Sequence, residues 1–301
     1  MNKKIMLCMV ISAGIILTGC FGGDVAEKEL EKEQENGKEQ DVLVFNDEVL
    51  ERRIREEIGI LEGDIFKDDV IDVEYLYFKD VFEAPFDESE INRVKDISVL
   101  SFFENLKGLN LSSGEISDIT PLSNLTNLEY LNLLQNDITD ISPLSNLTSL
   151  KTLNIGYNDI GDIKPLQGLE NLEKLELWAS GVNDISPLEG LQSLKYLNVK
   201  DNNLEDIDAL KNLKDLEKLD LSNNNLSDIS SLEGLKKLDT LFVSGNLIED
   251  FKVLDNLPNL ETSKFEGAVY DEDYYDESDE YRKGDDDGSF EPKGELKLDP
   301  R

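Results

Sequence analysis

The chain of 301 residues contains no histidine. That absence removes Ser-His-Asp and Cys-His catalysis and every metal site ligated by imidazole. There are two cysteines, Cys8 and Cys20, too few for a disulfide framework. Positive charge is scarce: 30 Lys and Arg stand against 66 Asp and Glu, for a formal net charge of −36. A chain so acidic repels nucleic acid and bare anionic membrane, and no basic cluster reverses that balance. Ser and Thr nucleophiles have no histidine base beside them, and no Gly-rich loop or carboxylate pair stands out. No catalytic residue, metal site or cofactor is therefore expected, and a hydrolase is the weaker rival reading.

What the chain does have is a period. Leucine fills positions 109, 131, 153, 175, 197, 219 and 241, and again 122, 144, 166, 188, 210, 232 and 254. Asp fills 118, 140, 162, 184, 206, 228 and 250, so seven copies of 22 residues follow one another without a gap. A fixed period in the twenties with L-x-x-L-x-L-x-x-N is the signature of a leucine-rich-repeat solenoid. Each repeat supplies about seven apolar side chains, for instance Leu125, Leu128, Leu131, Leu133, Ile138, Ile141 and Leu144. Leu131-x-Leu133 alternates as a strand does. The expected fold is an α/β repeat solenoid with a parallel sheet on the concave face and short 3₁₀ turns on the convex one. Ser142-Pro143 and Ser186-Pro187 are expected to open such turns, with Ser as the N-cap. Asn136, Asn158, Asn202, Asn224 and Asn246 are expected to turn inward after each strand, with a looser bend where Gly114 and Ser180 replace them.

The ends read differently. Lys3 and Lys4 precede the apolar run Ile5–Ile16, which is too short to span as a mature helix, and Leu17-Thr18-Gly19-Cys20 follows. This resembles a bacterial lipoprotein signal, cleaved before Cys20, whose sulfur takes a diacylglycerol. Loss of residues 1–19 leaves 28 basic against 66 acidic residues, a net of −38. Two or three acyl chains anchor firmly, each buried methylene contributing about 0.8 kcal/mol. The rest of 20–43 is an acidic linker that holds the next domain about 25–30 Å from the membrane. A helical N-terminal cap with a loop insertion is expected over 44–90. It comprises a helix over Phe45–Gly59, N-capped by Asn46 or Asp47, and a second short helix around Asp68–Leu76. The insertion is placed at Lys79–Glu90, ahead of a defective first rung marked by Val94, Ile97, Leu100, Phe103 and Leu106. The array is assigned to 91–265, and 266–301, with 14 acidic and 5 basic residues, is expected to be a disordered acidic tail. No sorting signal or apolar segment follows, so anchoring is expected to rest on Cys20.

The I-x-D-I-x-P-L ending of the repeats, the strict 22-residue spacing and the helical cap led by Phe45-Asn46-Asp47 resemble the internalin family of bacterial surface proteins. The resemblance covers residues 45–265 and implies the solenoid fold and a general role in binding proteins. The immunoglobulin-like domain and wall-anchoring repeats frequent in that family do not follow here.

Three columns of the repeat are candidates for function. Calcium takes six to eight converging oxygens, whereas the Asp column offers one carboxylate per rung, so it is expected to accept backbone N–H groups before each convex turn. Lys107, Glu129, Lys151, Glu173, Lys195, Glu217 and Asp239 alternate in sign for six rungs, a register-supporting ladder of cross-strand pairs. The outward strand positions run from Gly108/Asn110/Ser112/Ser113 to Thr240/Phe242/Ser244/Gly245. These 28 positions carry three Lys, two Asp and one Glu, a net of zero on a chain at −36. They also hold Tyr130, Leu134, Tyr157, the sole tryptophan Trp178, and Tyr196, which packing of exposed strand positions does not require. Aromatics among Asn and Ser resemble a protein-recognition surface, and these five are the candidate partner-binding residues. The expected function is a non-catalytic, lipid-anchored protein-binding module on the outer face of the bacterial cell membrane. The alternative is an envelope scaffold without a concave-face ligand.

Overall fold

The computed structural model describes residues 42–77, 93–260 and the backbone of 265–266. The expected signal, Cys20, most of the linker, the 79–90 insertion and nearly all of the tail lie outside the described residues. All that follows concerns the compact unit that begins at Leu43.

Nine short strands among the described residues form one parallel sheet in chain order. They are β1 (Tyr75–Tyr77), β2 (Gly108–Asn110), β3 (Tyr130–Asn132), β4 (Thr152–Asn154), β5 (Lys174–Glu176), β6 (Tyr196–Asn198), β7 (Lys218–Asp220), β8 (Thr240–Phe242) and β9 (Phe265–Glu266). From β2 to β8 the register advances by one repeat per strand, Leu109 to Leu131 to Leu153 and onward. Each such leucine is the middle residue of its strand and points inward, fully buried, with Leu111, Leu133, Ile155 and Leu177 beneath the next position. On the other side of the core every rung returns through a 3₁₀ turn, such as Thr120–Leu122, Ser142–Asn146 or Ser186–Leu188. The interior is a single hydrophobic cluster from Leu43 to Leu257. Burial contributes about 1.5–3 kcal/mol per leucine, an upper bound because the unfolded chain is itself partly collapsed.

The N-terminal cap opens with α1 (Glu48–Ile58), capped by Asp47 and ended by Gly59 in the left-handed conformation at φ 76°. Asp47 does more than cap. Its Oδ1 accepts the N–H groups of Val49 and Leu50, while its Oδ2 accepts those of Lys95 and Asp96 at 2.7 and 3.2 Å. One carboxylate thus ties the cap to the first rung. Leu50 and Ile54 on the inner face of α1 are fully buried and close the end of the core.

The second helix is shorter than the sequence suggests. α2 covers only Lys67–Val70, with the Asp69 carboxylate accepting the Phe66 N–H at 2.8 Å. Leu76, expected within that helix, is instead the buried centre of β1, paired with Leu109. Tyr75-Leu76-Tyr77 alternates outward, inward, outward, and the neighbouring strand captures that period-2 pattern where an isolated helical turn would bury only one face.

Two amide columns hold the rungs together, and a carboxylate column fixes the turn within each rung. At Asn158 the side-chain Nδ2 donates to the carbonyls of Leu133, Ile155 and Gly156, and Oδ1 accepts the Ile138 N–H at 3.0 Å. Asn136, Asn202, Asn224 and Asn246 repeat this arrangement. Where the column breaks the left-handed residue before it is kept, while near Ser180 the path of the chain changes, with Gly161 and Gly181 also left-handed at φ 65° and 72°. Ser113 and Ala179, which precede Gly114 and Ser180, sit at φ 60° and 50°, alongside Gln135 at 57° and Asp201 at 54°. At Ser180 the hydroxyl donates to the carbonyls of Ile155 and Trp178, and the Ile160 N–H turns to the Ser180 carbonyl. At Gly114 there is no room for a side chain, since a Cβ would lie 2.5 Å from Asn136 Oδ1 and 2.9 Å from the Val94 carbonyl.

The second column is the repeated Asp. Asp118, Asp140, Asp162, Asp184, Asp206, Asp228 and Asp250 each accept the N–H two residues ahead, at 2.6–3.0 Å. Asp96 does the same for Ser98. Ser142 and Ser186 are not the caps of their turns: Ile141 and Ile185 hold the cap positions, each serine is the first residue of the turn, and its own N–H is donated to the Asp two residues before; the Ser142 hydroxyl also donates to Asp140. These hydrogen bonds hold the carboxyls of Asp118, Asp140, Asp184 and Asp250 below their ordinary range. In a third column, which the sequence reading overlooked, Asn105, Asn127, Asn171 and Asn259 each donate to a carbonyl of the preceding rung.

Candidate functional site

The alternating charge column pairs two by two. Lys151 meets Glu129 at 2.6 Å and Lys195 meets Glu173 at 2.5 Å, while Lys107 turns back to Glu74 of the cap rather than forward to Glu129. The carboxylates raise the lysines and Lys151 lowers Glu129. These are exposed pairs that stitch neighbouring rungs and leave the outward strand positions free for other uses.

On the concave face the asparagines serve the backbone. Oδ1 of Asn110, Asn132, Asn154 and Asn198 accepts the N–H two residues on, at 3.0–3.1 Å, and Asp220 does so for Ser222 at 2.9 Å. Each bends the chain out of its strand. Burial pushes the Asp220 carboxyl up, against the lowering effect of the Ser222 N–H.

The aromatics serve no such purpose. Tyr157 is 53% exposed and its ring centroid lies 5.5 Å from that of Trp178 at an interplanar angle of 52°. Trp178 reaches across to the neighbouring rung and lies against Gly156, where a Cβ would come within 2.7 Å of the indole Nε1. Tyr157 also holds a left-handed backbone at φ 53°, a conformation that bulky side chains rarely adopt and that costs roughly 1–2 kcal/mol. The sister position in the last full rung is Gly245, at φ 66°. Leu134 and Ala179 border this pair, half-exposed.

Tyr196 lies one strand further on. Lys174 Nζ sits 4.9 Å from the centre of its ring and 3.2 Å from Glu176, which in turn accepts from Asn198 Nδ2. This network fixes Tyr196 from β5 and β6, and it satisfies Glu176, which is nearly buried. The Asp201 carboxylate accepts from Asn223 Nδ2 at 2.6 Å.

Tyr130 is brought not to this group but to two residues the sequence reading did not select. Its ring meets Tyr77 edge-on, centroids 5.6 Å apart at 86°, and Tyr77 lies 5.8 Å from Tyr75. Gly108 lies beneath, where a Cβ would meet the Tyr77 hydroxyl at 2.1 Å and the Tyr75 ring at 2.8 Å. Burial, then the neighbouring Tyr130 and Tyr75, raise the Tyr77 phenol above its ordinary value. The signal that could have found Tyr75 and Tyr77 was the match of Tyr75-Leu76-Tyr77 to Gly108-Leu109-Asn110, hidden by a spacing of 33 residues instead of 22.

Among the described residues no group of three or more His, Cys, Asp or Glu side chains is placed to hold a metal ion. No helix among them is long and apolar enough to cross a membrane.

The model of leucine-rich repeats, in paired copies, matches residues 104–146, 126–168, 148–191, 170–212, 192–234 and 214–259, more than half of the chain. Among solved structures, an internalin (inlF) from Listeria monocytogenes is 30% identical, with a TM-score of 0.68, over 75% of this chain and 64% of its own. This chain therefore spans just under two thirds of that relative. Internalin C2 of the same organism is 33% identical, with a TM-score of 0.66, over 72% of this chain and 92% of its own. The leucine-rich-repeat ectodomain of a plant membrane receptor kinase from Arabidopsis thaliana, solved in complex with a Casparian strip integrity factor, is 28% identical over 61% of this chain and 25% of its own, with a TM-score of 0.51. No curated protein matches the chain by sequence. The repeat match and the likeness to nearly the whole of internalin C2 place the chain among the leucine-rich-repeat proteins, in the internalin family.

Proposed function

We propose that the chain is a non-catalytic binding module, held on the outer face of the bacterial cell membrane through a lipidated Cys20, that captures a protein partner on its concave sheet. The observation that carries this reading is the Tyr157–Trp178 pair. Two large rings lie side by side, Tyr157 exposed and Trp178 half-buried over a floor cleared by Gly156, at the cost of a left-handed tyrosine backbone. Packing does not ask for them there, since the core beneath is already closed by Leu153, Ile155, Leu175 and Leu177. Rigid aromatics that bury much area with little loss of side-chain freedom are the usual anchors of protein interfaces. Tyr130, Leu134 and Tyr196 extend the proposed contact along the sheet, whose adjacent strands are about 4.8 Å apart. The internalin family membership supports a protein ligand, and the plant receptor ectodomain offers a case of this fold in complex with one.

The test is a pull-down from envelope and host-surface extracts, comparing the wild type with a Tyr157→Ala/Trp178→Ala/Tyr196→Ala variant of unchanged circular dichroism. A partner held by the first and lost by the second is the expected result. A partner held equally by both places the binding elsewhere, and no partner from either extract returns the chain to the scaffold reading. The anchor is tested separately by feeding cells labelled fatty acid: Cys20→Ala abolishes labelling and membrane retention, and persistence of either refutes it.

A further inference from the structure

The outward asparagines of β2, β3 and β4 use only half of each side chain. Asn110, Asn132 and Asn154 stand in register on these adjacent strands. In each, Oδ1 accepts the N–H two residues on, at 3.0–3.1 Å, which fixes the amide and leaves Nδ2 as its outward group. No acceptor among the described residues takes these Nδ2 donors. Since no buried side-chain nitrogen or oxygen among them lacks a partner, the donors face solvent. The row ends at β5, where Glu176 replaces the amide and accepts from Asn198 Nδ2 at 3.1 Å. Beside that end stands the indole Nε1 of Trp178, over Gly156 and likewise without an acceptor among the described residues. No Asp, Glu, Lys or Arg occupies an outward position of these three rungs. Lys107 and Lys151, which flank the row, are paired with Glu74 and Glu129.

The row therefore presents fixed donors without a charge of its own. Its complement brings acceptors, asks for none in return, and carries an apolar surface for the rings of Tyr157 and Trp178. A proline-rich segment meets each condition. Proline has a carbonyl but no N–H, and a polyproline II chain keeps its carbonyls out of internal hydrogen bonds. One turn of that helix, three residues, advances about 9.3 Å, so its like-facing carbonyls match every second rung, about 9.6 Å apart. We propose that this face takes an uncharged, proline-rich segment of the protein partner, laid across the strands in polyproline II form. Its carbonyls accept from Asn110 and Asn154 Nδ2 and from Trp178 Nε1, and a proline ring rests on the aromatic pair, as in other aromatic-lined grooves. The inference rests on the concave-face reading and names the chemistry of the partner there. An acidic segment would be repelled by a chain at −36, and a basic one would find no carboxylate in the row.

The test uses the full chain labelled at the indole nitrogen of tryptophan. Trp178 is the sole tryptophan, so NMR reads a single indole N–H resonance. It is followed during titration with a blocked hexaproline, a blocked Gly-Ser peptide of the same length, and an oligosaccharide of N-acetylglucosamine. The expected result is movement by hexaproline, with binding at least about fivefold weaker for the Gly-Ser peptide, which has to be ordered first. Asn110→Asp/Asn154→Asp keeps the oxygen that accepts the backbone N–H, as Asp220 does on β7, but removes both donors. It should weaken hexaproline binding about tenfold. Equal responses to the two peptides overturn the proposal, as does no response or a hexaproline response unchanged in the double variant. A stronger response to the oligosaccharide assigns the row to a glycan and overturns it too. The probes are synthetic, so a partner captured in the pull-down without a hexaproline response strikes this inference alone.

Discussion

Asn158→Ala and Ser180→Ala occupy the same column of the repeat and should differ sharply in cost. Asn158 is 93% buried and makes four hydrogen bonds to its own rung and the one before it. Its removal orphans the Ile138 N–H, which has no other acceptor among the described residues, at about 1–3 kcal/mol. The three carbonyls it served each keep one donor: Asn136 for Leu133, Ser180 for Ile155 and the Gln135 N–H for Gly156. Weakening those three adds about 1–2 kcal/mol, for a total near 3 kcal/mol. Ser180→Ala orphans nothing. Ile155 keeps Asn158, Trp178 keeps the Tyr157 N–H, and the Ile160 N–H is already held by the Ser180 carbonyl. Its cost should stay near 1 kcal/mol. The double variant strips the Ile155 carbonyl of both side-chain donors, so it should lose about 1 kcal/mol more than the two single losses combined. Urea unfolding of the four proteins, read by circular dichroism with the slope checked for constancy, gives these values. Equal costs for the two single variants, or strict additivity, would refute the claim that the amide ladder locks the rungs.

Other expectations concern single residues. Gly245→Ala should lower the melting temperature, since φ is 66° there and a Cβ would lie 2.1 Å from Asn223 Oδ1; Ala179→Gly, at φ 50°, should leave it unchanged or raise it. Asp47→Ala should cost about 2–3 kcal/mol by removing a helix cap and the tie to Lys95 and Asp96 together, and should speed proteolysis of α1 before that of the array. The carboxyls of Asp140 and Asp184 lie below the ordinary 3.8, so their contribution is complete above that value and is lost as pH falls through the lowered one. The urea midpoint of Asp140→Ala/Asp184→Ala should therefore trail the wild type most at pH 7 and approach it toward pH 2. A constant gap would contradict the capping role.

The array was legible because a 22-residue period leaves little choice: seven leucines in one column have to share one core, and Leu131-x-Leu133 has to alternate. The Asp column was legible for the same reason, since one carboxylate per rung suits a backbone N–H and not a cation. What escaped was local. β1 was hidden because its partner lies 33 residues ahead and because Val70 to Leu76 carries a spacing that a helix also satisfies. Ser142 has a capping side chain, but the turn begins one residue earlier than a serine cap requires, with Ile141 at the cap position and the Ser142 N–H donated to Asp140. The left-handed column at Ser113, Gln135, Tyr157, Ala179, Asp201 and Asn223 has no shared residue type, so composition was silent about it. Its existence changes the reading of Tyr157 from an exposed ring to one retained against backbone preference. Of the five candidate partner-binding residues, Tyr157 and Trp178 come together, Tyr196 is fixed by Lys174, and Tyr130 joins Tyr77. The contacts between rings depend on Gly108 and Gly156, whose role is visible only once the strands are side by side.

The most direct measurement places a photoreactive benzoylphenylalanine at Tyr157 on the concave face or at Phe102 in the first 3₁₀ turn, 39% exposed on the opposite side, and irradiates cells or extracts that contain the partner. A covalent adduct of one defined protein from position 157 and none from position 102 is the predicted result. An adduct from position 102 alone, or the same adduct from both, would contradict a concave-face binding module.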